Sequence, residues 1–341
     1  MTIAIEIHGT ISHGLWSPER GESRWAQNIA AVLGAAGIPV MGFGSWTPGA
    51  DPWGECPRVP NVEFAPWPVL KDADYRCVFD AAHWDGKPIL GRPRSVLRGY
   101  FSYQSAIMES DWPANHRLVY PYQHSLLASN FGRNPGRLLQ LPVIPLDWWG
   151  RYMPSPPAWP ATRKGVVWGT KPPQSPESTT GRWWTAMLDV ARDLGGPASF
   201  AGGAHYPDHW RRQAEAVPGA ALYGMIPLGP AQALMRGATV CLNPPYSGLF
   251  FLEAVMEGCC PTVWRNDYIP SLESATLRVD ASLLLDPATP DRAAFARVAE
   301  RLLTDDRLRA DLLAEYQSAL APYSPEAALA CWREVDAWIP A

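Results

Sequence analysis

The sequence predicts an α/β protein with two halves, each a parallel sheet covered by helices, and three observations favour this fold. Short apolar runs typical of strands alternate with segments whose apolar residues recur at helical spacing. A proline-dense stretch at residues 153–160 interrupts the alternation, which then restarts. The chain has 341 residues, more than one core usually organises. We therefore expect domains at 1–152 and 165–324, joined by a linker at 153–164.

The element predictions follow the same patterns through each half. In the first half we predict a helix at 24–36, ended by Gly37, and strands at 3–7, 38–43, 75–79, 95–101, 117–120 and 138–142. In the second half we predict strands at 165–168, 198–201, 220–223, 239–242 and 261–264. The helices predicted there are 182–194, 231–236, 252–257, 291–320 and 325–338.

The composition is that of a globular enzyme-sized protein. The apolar fraction is 47%, and the net charge of −4 gives no global attraction to nucleic acid or acidic membranes. The first ten residues lack the basic start and apolar core of a signal peptide, and no apolar run is long enough for a membrane span. The six cysteines show no CxxC spacing, which favours reduced thiols over a metal site. We expect a cytoplasmic protein.

Tryptophan is unusually frequent, with 17 residues. Flat rings of this size suit stacking against sugars or bases, and they also suit ordinary packing in a loop-rich protein. Both interpretations stay open at this point.

The first candidate site is the loop that leads from the strand at 239–242 into a helix. Ser247, Gly248 and Leu249 precede or begin that helix, where free backbone N–H groups and the helix dipole favour a diphosphate. Glu253 lies about one turn later and can accept hydrogen bonds from ribose hydroxyls. The alternative is that Glu253 is a solvated helix carboxylate.

The second candidate site comes directly after the strand at 165–168. Thr170 and Lys171 stand in the loop, and Arg182 stands where we predict that the next helix opens. A lysine and an arginine on one strand-to-helix loop suit a phosphate, although both could be ordinary surface cations. The glycines of the loop at 8–24, which include Gly21, form no strict GxGxxG and are weaker evidence.

Acidic and histidine side chains of the first half are candidates for the acceptor side. His83 comes after a predicted strand and could orient a hydroxyl, and Glu109 could serve as a base. Each could equally be structural. Asp72 and Asp74 offer a carboxylate pair without supporting ligands, so we expect no metal site. The sequence contains no GxSxG, HExxH or P-loop motif, which disfavours the common hydrolases and NTPases.

The second half resembles family 4 of the retaining GT-B glycosyltransferases, nearly continuously from about residue 165 to 338. Tyr223, Met225 and Ile226 lie in a segment similar to the family's strand and glycine turn beside the nucleotide base. Gly248, Leu249 and Glu253 match the end of its Glu-x7-Glu donor motif, and residues 257–263 resemble the family's next segment. The sequence departs from the motif at Pro245, which stands where the family has its first glutamate.

The first half resembles the same family more weakly. Residues 21–40, which include Gly21, are similar to its glycine loop, first helix and second strand. Residues 99–113 resemble a segment that carries an acidic residue in some members, and Gln104 competes with Glu109 for that position.

This resemblance implies a GT-B fold, with two Rossmann-like domains whose parallel sheets face each other across a cleft. The last helix, within 325–341, would return toward the first domain. The implied reaction transfers a sugar, with retention of configuration, from a nucleoside-diphosphate sugar to a hydroxyl acceptor. It requires no metal and no further cofactor, because Lys171, Arg182 and loop amides would stabilise the leaving diphosphate. The nucleotide, UDP or GDP, and the acceptor, a saccharide or small molecule, stay undetermined.

Two alternatives stay open. The first keeps the chemistry but uses a polyanionic acceptor such as hydroxymethylated phage DNA, motivated by six arginines in the acceptor half: Arg92, Arg94, Arg98, Arg117, Arg133 and Arg137. The second is a catalytically silent GT-B binding or scaffold protein, motivated by Pro245. A sugar-nucleotide 2-epimerase would share the fold, but its expected carboxylates and histidine are not evident.

Overall fold

The computed structural model describes most of the chain, in separate stretches. The described residues are 2–6, 21–44, 51–53, 58–66, 74–80, 92–99, 114–120, 138–140, 163–169, 172–173, 175–202, 206–224, 226, 228–243, 248–264, 280–286, 289–319 and 324–339.

Parallel strands and helices alternate along the chain, as the sequence predicts. The strands are β1 (Ile3–Glu6), β2 (Val40–Gly44), β3 (Val62–Pro66), β4 (Asp74–Asp80), β5 (Arg92–Gly99), β6 (His116–Tyr120), β7 (Leu138–Gln140), β8 (Val166–Gly169), β9 (Ala198–Ala201), β10 (Ala220–Gly224), β11 (Val240–Cys241), β12 (Cys260–Pro261), β13 (Val263–Trp264) and β14 (Leu284–Leu285). The helices are α1 (Gly21–Ala35), α2 (Thr179–Leu194), α3 (Asp208–Glu215), α4 (Leu228–Gly237), α5 (Gly248–Met256), α6 (Arg292–Thr304), α7 (Asp306–Ala319) and α8 (Pro325–Trp338).

Contacts divide the chain into two compact units. Unit 1 contains Met1–Pro154 and Ala321–Ala341, and unit 2 contains Ser155–Leu320. Residues 153–162 of the predicted linker lie outside the described residues. The predicted domain boundaries stay predictions.

Unit 1 is built on a seven-stranded parallel sheet. Its strand order is β3-β2-β1-β4-β5-β6-β7, so the chain winds outward in one direction from β1 and in the other from β4. The carboxyl ends of all these strands meet at one edge because the sheet is parallel. The winding direction reverses between β1 and β4, the position at which open α/β sheets bind ligands.

The last described helix, α8, belongs to unit 1. The hydroxyl of Ser324 caps its first turn by accepting a hydrogen bond from the Ala327 backbone N–H at 3.1 Å. Arg76 on β4 forms an ion pair with Asp336, with 2.6 Å between Nη1 and Oδ1. The guanidinium of Arg117 on β6 lies 4.4 Å from the centre of the Trp338 ring. These contacts attach α8 to the sheet of unit 1.

Unit 2 is built on a five-stranded parallel sheet. Its strand order is β10-β9-β8-β11-β12, and β13 and β14 form a separate parallel pair. Val167 on β8 packs among residues of α4 and α5, whereas the ring of the next residue, Trp168, packs against Trp184 of α2. Successive residues of a strand face opposite sides of a sheet, so helices cover both faces. The predicted fold class is therefore confirmed within this unit as within unit 1.

Tryptophan rings build much of the core. The fully buried tryptophans are Trp25, Trp168, Trp183, Trp184, Trp210, Trp264 and Trp332. In unit 2 the ring centres of Trp168 and Trp184 lie 4.1 Å apart, and those of Trp183 and Trp264 lie 4.5 Å apart. For these seven side chains packing, and not an exposed stacking platform, is the observed role.

Several element boundaries differ from the sequence prediction. The helix predicted at 291–320 is two helices, because the Asp305 backbone leaves the helical region and its carboxylate accepts a hydrogen bond from the Leu308 N–H, which starts α7. The strand predicted at 261–264 is divided at Thr262 into β12 and β13, which belong to different sheets. The elements β3, α3 and β14 were not predicted from the sequence.

No helix in the described part of the chain combines the length and apolarity needed to span a membrane.

Candidate functional site

The topology of unit 2 makes neighbours of the two strands from which two predicted loops depart. The winding direction of its sheet reverses between β8 and β11, which are hydrogen-bonded neighbours. The loop after β8 contains Thr170 and Lys171, and the loop after β11 contains Ser247. These three residues lie outside the described ones, but the strand ends from which their loops depart are adjacent. Ligands of open parallel sheets bind at such a reversal.

The contact between Gly169 and Phe250 fixes the start of α5 against the end of β8. Gly169 is the last residue of β8, and a methyl group added to its Cα would overlap the Phe250 ring in the first turn of α5. Phe250 also packs against the core that contains Val167 and Met235. Only glycine therefore permits this close approach of the helix to the strand end.

Helix α5 begins at Gly248 and continues through Leu249, one turn earlier than the sequence predicts. The first N–H groups of a helix have no intrahelical partner, and no acidic residue of the first turn of α5 offsets the dipole. The end of the helix is thus suited to an anion. The amides of Gly248 and Leu249 belong to this first turn.

Glu253 lies in the second turn of α5 and is fully buried. The alternative interpretation, a solvated helix carboxylate, is wrong because this side chain has no exposed surface. A buried carboxylate is costly unless hydrogen bonds or charges compensate it. Glu253 lies inside the packed helix that starts at the loop after β11, and its predicted role stays a prediction.

Arg182 lies in the first turns of α2. The helix begins at Thr179, three residues before Arg182, so the prediction that Arg182 opens it is wrong. Ser178 caps the helix, since its hydroxyl accepts from the Gly181 N–H at 3.0 Å and its carbonyl accepts from the Arg182 N–H at 2.9 Å. The Arg182 side chain is exposed. It is accessible to a ligand, and its predicted role stays a prediction.

Tyr223 lies in an irregularity of β10. Leu222 pairs with Phe200 and Gly224 pairs with Ala201, so Tyr223 is the extra residue of a bulge. Its side chain is 44% exposed, in contrast to the buried aromatic rings of the core. Bulges redirect side chains and occur often beside functional sites.

The two other residues predicted beside Tyr223 differ in what the structure describes. Ile226 is partly buried and packs against the core between β8, α4 and α5, whereas Met225 lies outside the described residues. Among the residues predicted to lie beside the base, Tyr223 therefore has an exposed ring in the described part of the chain.

Asn243 is a buried polar residue at the site that the sequence analysis missed. It lies just after β11 and is 1% exposed. The Trp264 indole N–H donates to its backbone carbonyl at 2.9 Å, and the Thr262 hydroxyl donates to its side-chain Oδ1 at 2.8 Å. Its Nδ2 has no partner among the described residues. The signal in the sequence that could have identified Asn243 is its position, as a polar residue directly after an apolar strand at the reversal of the sheet.

The opposite edge of the same sheet carries a structural ion pair. Arg236 at the end of α4 donates from Nε and Nη2 to the carboxylate of Glu257, which also accepts from Gln232 Nε2 at 3.3 Å. Arg163 donates to the backbone carbonyl of Glu257 at 2.6 Å. These groups join the ends of α4 and α5 to the start of β8 and lie at the amino ends of the strands.

The buried cysteines offer no reactive thiolate. Burial raises the pKa of the Cys260 thiol to about 12, and it also raises the pKa values of Cys77, Cys241 and Cys259 well above their ordinary value. Among the described residues, no three histidine, cysteine, aspartate or glutamate side chains are grouped to hold a metal ion.

The predicted residues of unit 1 are described only at the strand ends. His83 and Glu109 lie outside the described residues, and Gly21 is the first residue of α1. The loop of His83 departs from β4, whose last residue, Asp80, is buried. The neighbouring strand β1 ends at the same level, since Glu6 pairs with Asp80. The loop of His83 therefore starts at the reversal in unit 1.

No protein-family model matches the sequence, and no curated protein is similar to it. Solved structures are similar over nearly the full length. Sucrose-phosphate synthase from Thermosynechococcus elongatus is 16% identical, with a TM-score of 0.63 and 99% of each chain covered. WaaG, a glycosyltransferase involved in lipopolysaccharide biosynthesis, is 14% identical, with a TM-score of 0.61, and 99% of this chain and 100% of WaaG are covered.

A third similar structure is T4 phage BGT in complex with UDP and Mn2+. It is 14% identical to this chain, with a TM-score of 0.54 and 100% of both chains covered. At identities this low, structural similarity establishes the fold alone. The two Rossmann-like units and these neighbours together show that the chain has the GT-B fold.

Proposed function

We propose that the protein is a glycosyltransferase that takes its sugar from a nucleoside-diphosphate donor bound at the carboxyl edge of the unit 2 sheet. One observation carries the proposal: the Gly169–Phe250 contact holds the N-terminal end of α5 against β8 at the reversal of the sheet. An anion-binding helix end at that point suits the diphosphate of a nucleotide-sugar.

In this proposal the diphosphate lies at the amides of Gly248 and Leu249, with Ser247 in the same loop. Lys171 and Arg182 supply positive charge from the loop and helix after β8, with Thr170 beside them. These groups would stabilise the leaving diphosphate without a metal ion, because amides and cations are aimed at the oxygens where charge develops.

The nucleoside occupies the remainder of the edge. Tyr223, whose ring the bulge leaves exposed, supports the base together with Met225 and Ile226. Glu253 accepts hydrogen bonds from the ribose hydroxyls. The assignment rests on the resemblance of this segment to the donor motif of family 4, and the carboxylate lies buried within α5.

The acceptor is proposed to be a hydroxyl compound that binds through unit 1. His83 and Glu109 stay the proposed acceptor-side residues, and Gly21 begins the helix beside the first glycine loop. The fold neighbours support a sugar donor, since T4 phage BGT has been solved with UDP-glucose as its substrate. Transfer with retention of configuration is part of the proposal and rests on the resemblance to family 4.

The proposal is tested by calorimetric and thermal-shift titration of the protein with UDP, GDP and their sugar conjugates. A ligand present at 100 times its Kd stabilises the fold by about 2.7 kcal/mol. We expect one nucleotide-sugar to stabilise the protein. The substitution Glu253→Gln should lower the affinity for that ligand about tenfold or more. Glu300→Gln, at an exposed position of α6, is the matched control and should bind as the wild type does.

Two further outcomes decide the chemistry. Release of nucleoside diphosphate from the donor, unaffected by EDTA, would support metal-independent transfer, and proton NMR of the product reports retention or inversion. Binding without any donor turnover would favour the silent binding protein instead. A protein that no nucleotide or nucleotide-sugar stabilises would contradict the proposal.

A further inference from the structure

The carboxamide of Asn243 is held in place through its oxygen, while its nitrogen is left unused by the described residues. The Thr262 hydroxyl, itself fully buried, donates to Oδ1 at 2.8 Å. The backbone carbonyl of Asn243 accepts from the Trp264 indole at 2.9 Å. The side chain is 1% exposed, and Nδ2 has no hydrogen-bond partner in the described part of the chain.

A buried amide nitrogen without an acceptor lowers the stability of the fold, because its two N–H groups lose their hydrogen bonds to water and form none with the described residues. In the orientation that the amide has in this structure, the Thr262 hydroxyl donates to Oδ1 at 2.8 Å and also lies 3.2 Å from the Asn243 backbone carbonyl, so Nδ2 is the amide atom that does not face Thr262. A buried donor that is left unused requires an explanation, and completion by a ligand is the one that fits the place of Asn243 at the reversal of the sheet.

The place of Asn243 in the fold limits what that ligand can be. The residue lies at the end of β11 at the reversal of the sheet, next to β8 and before the loop into α5. Tyr223 and the proposed base position belong to β10, three strands away in the order β10-β9-β8-β11. Adjacent strands are about 4.8 Å apart, so β11 lies roughly 14 Å from β10. Asn243 therefore belongs with the diphosphate end of the donor.

We propose that Nδ2 of Asn243 donates a hydrogen bond to a phosphoryl oxygen of the nucleoside diphosphate, and that Thr262 and Trp264 position it for this purpose. The inference rests on the proposed function, since it assigns a residue to the donor site. Phosphoryl oxygens only accept hydrogen bonds, which complements a group that only donates.

The test compares nucleoside diphosphates with the matching nucleosides on the full chain. Asn243→Asp keeps the shape but replaces the donor by a negative acceptor. We expect the affinity for UDP or GDP, whichever the wild type binds, to fall tenfold or more, and the affinity for uridine or guanosine to change less than twofold. Asn115→Asp, at a partly exposed position of unit 1, should change neither affinity.

Asn243→Ser supplies a second variant in case the aspartate disturbs the buried position. It adds no charge but is too short to reach the same oxygen, and the same selective loss is expected. The melting temperature without ligand identifies a variant that fails to fold. A direct readout on the wild type is the side-chain amide signal of Asn243 in 15N-edited NMR, which should shift with the diphosphate and not with the nucleoside.

The two proposals fail in different ways. If the wild type binds no nucleotide, the proposed function fails. If the wild type binds the diphosphate and folded Asn243 variants bind it equally well, or lose nucleoside and diphosphate to the same extent, the role of Asn243 is overturned while the proposed function stands. An unshifted Asn243 amide signal on diphosphate binding also overturns it.

Discussion

The two units share a winding pattern but differ in how polar groups hold them together. Each sheet reverses its direction once, between β1 and β4 in unit 1 and between β8 and β11 in unit 2. In unit 2 the described ion pair at the amino edge, Arg236 with Glu257, is largely buried. In unit 1 the pair that attaches α8, Arg76 with Asp336, leaves its side chains 26% and 41% exposed. The same topology thus depends on charges to different degrees.

Arg236→Met is expected to have the largest effect on stability. It removes the guanidinium from the buried Glu257 carboxylate, which keeps the Gln232 amide as a described side-chain partner. Loss of one partner of a buried pair costs about 3 kcal/mol or more in free energy of unfolding. Urea unfolding measures the change. Arg307→Met removes an exposed pair with Asp311 and should stay within about 0.5 kcal/mol of wild type; equal effects of the two substitutions would contradict the distinction.

Gly169→Ala is expected to be second, because its methyl group would overlap the Phe250 ring. Overpacking of this kind costs about 1–3 kcal/mol. The shift of α5 should also weaken donor binding. Gly229→Ala is the control, since a methyl group there meets open space within α4, and it should be neutral or slightly stabilising. Addition of Phe250→Leu should restore part of the loss in a double-mutant cycle, and strict additivity would exclude the contact as its cause.

Arg76→Gln in unit 1 is expected to have the smallest effect. Exposed ion pairs contribute about 0–1 kcal/mol and are screened by salt. The difference between the wild type and this variant in urea unfolding should shrink as NaCl is raised from about 50 mM to about 500 mM. A loss above about 2 kcal/mol would show that α8 depends on this pair as strongly as unit 2 depends on Arg236.

The sequence was sufficient for the alternation of strands and helices because each element buries a recognisable apolar face. It was insufficient where a contact between residues distant in the sequence determines where an element begins or ends. The division between β12 and β13 occurs at Thr262, whose hydroxyl bonds to Asn243, a contact 19 residues away. Local pattern carries no information about such a pair. Strand β3 was missed because its apolar run, interrupted by Glu63, is short and ends at Pro66.

The candidate site was predictable in part for the same reason. Ser247, Gly248 and Glu253 were selected from the strand-to-helix pattern, and the strand order makes the strand that precedes them a neighbour of the strand that precedes Lys171. The burial of Glu253 and the unused donor of Asn243 depend on the surrounding packing and could not be read from spacing. The start of α2 was predicted at Arg182, three residues too late, because the cap at Ser178 was not recognised.

The membership of α8 in unit 1 has a consequence for synthesis of the chain. Unit 2 is one continuous stretch, whereas unit 1 consists of an early segment and the last helix. Domains tend to fold as they emerge from the ribosome, at about 5–20 residues per second. We expect unit 2 to complete its core first, before the sheet of unit 1 receives the helix that carries Trp332 and Asp336. Unit 1, whose first segment is synthesised before unit 2, is thus the unit that completes its fold last.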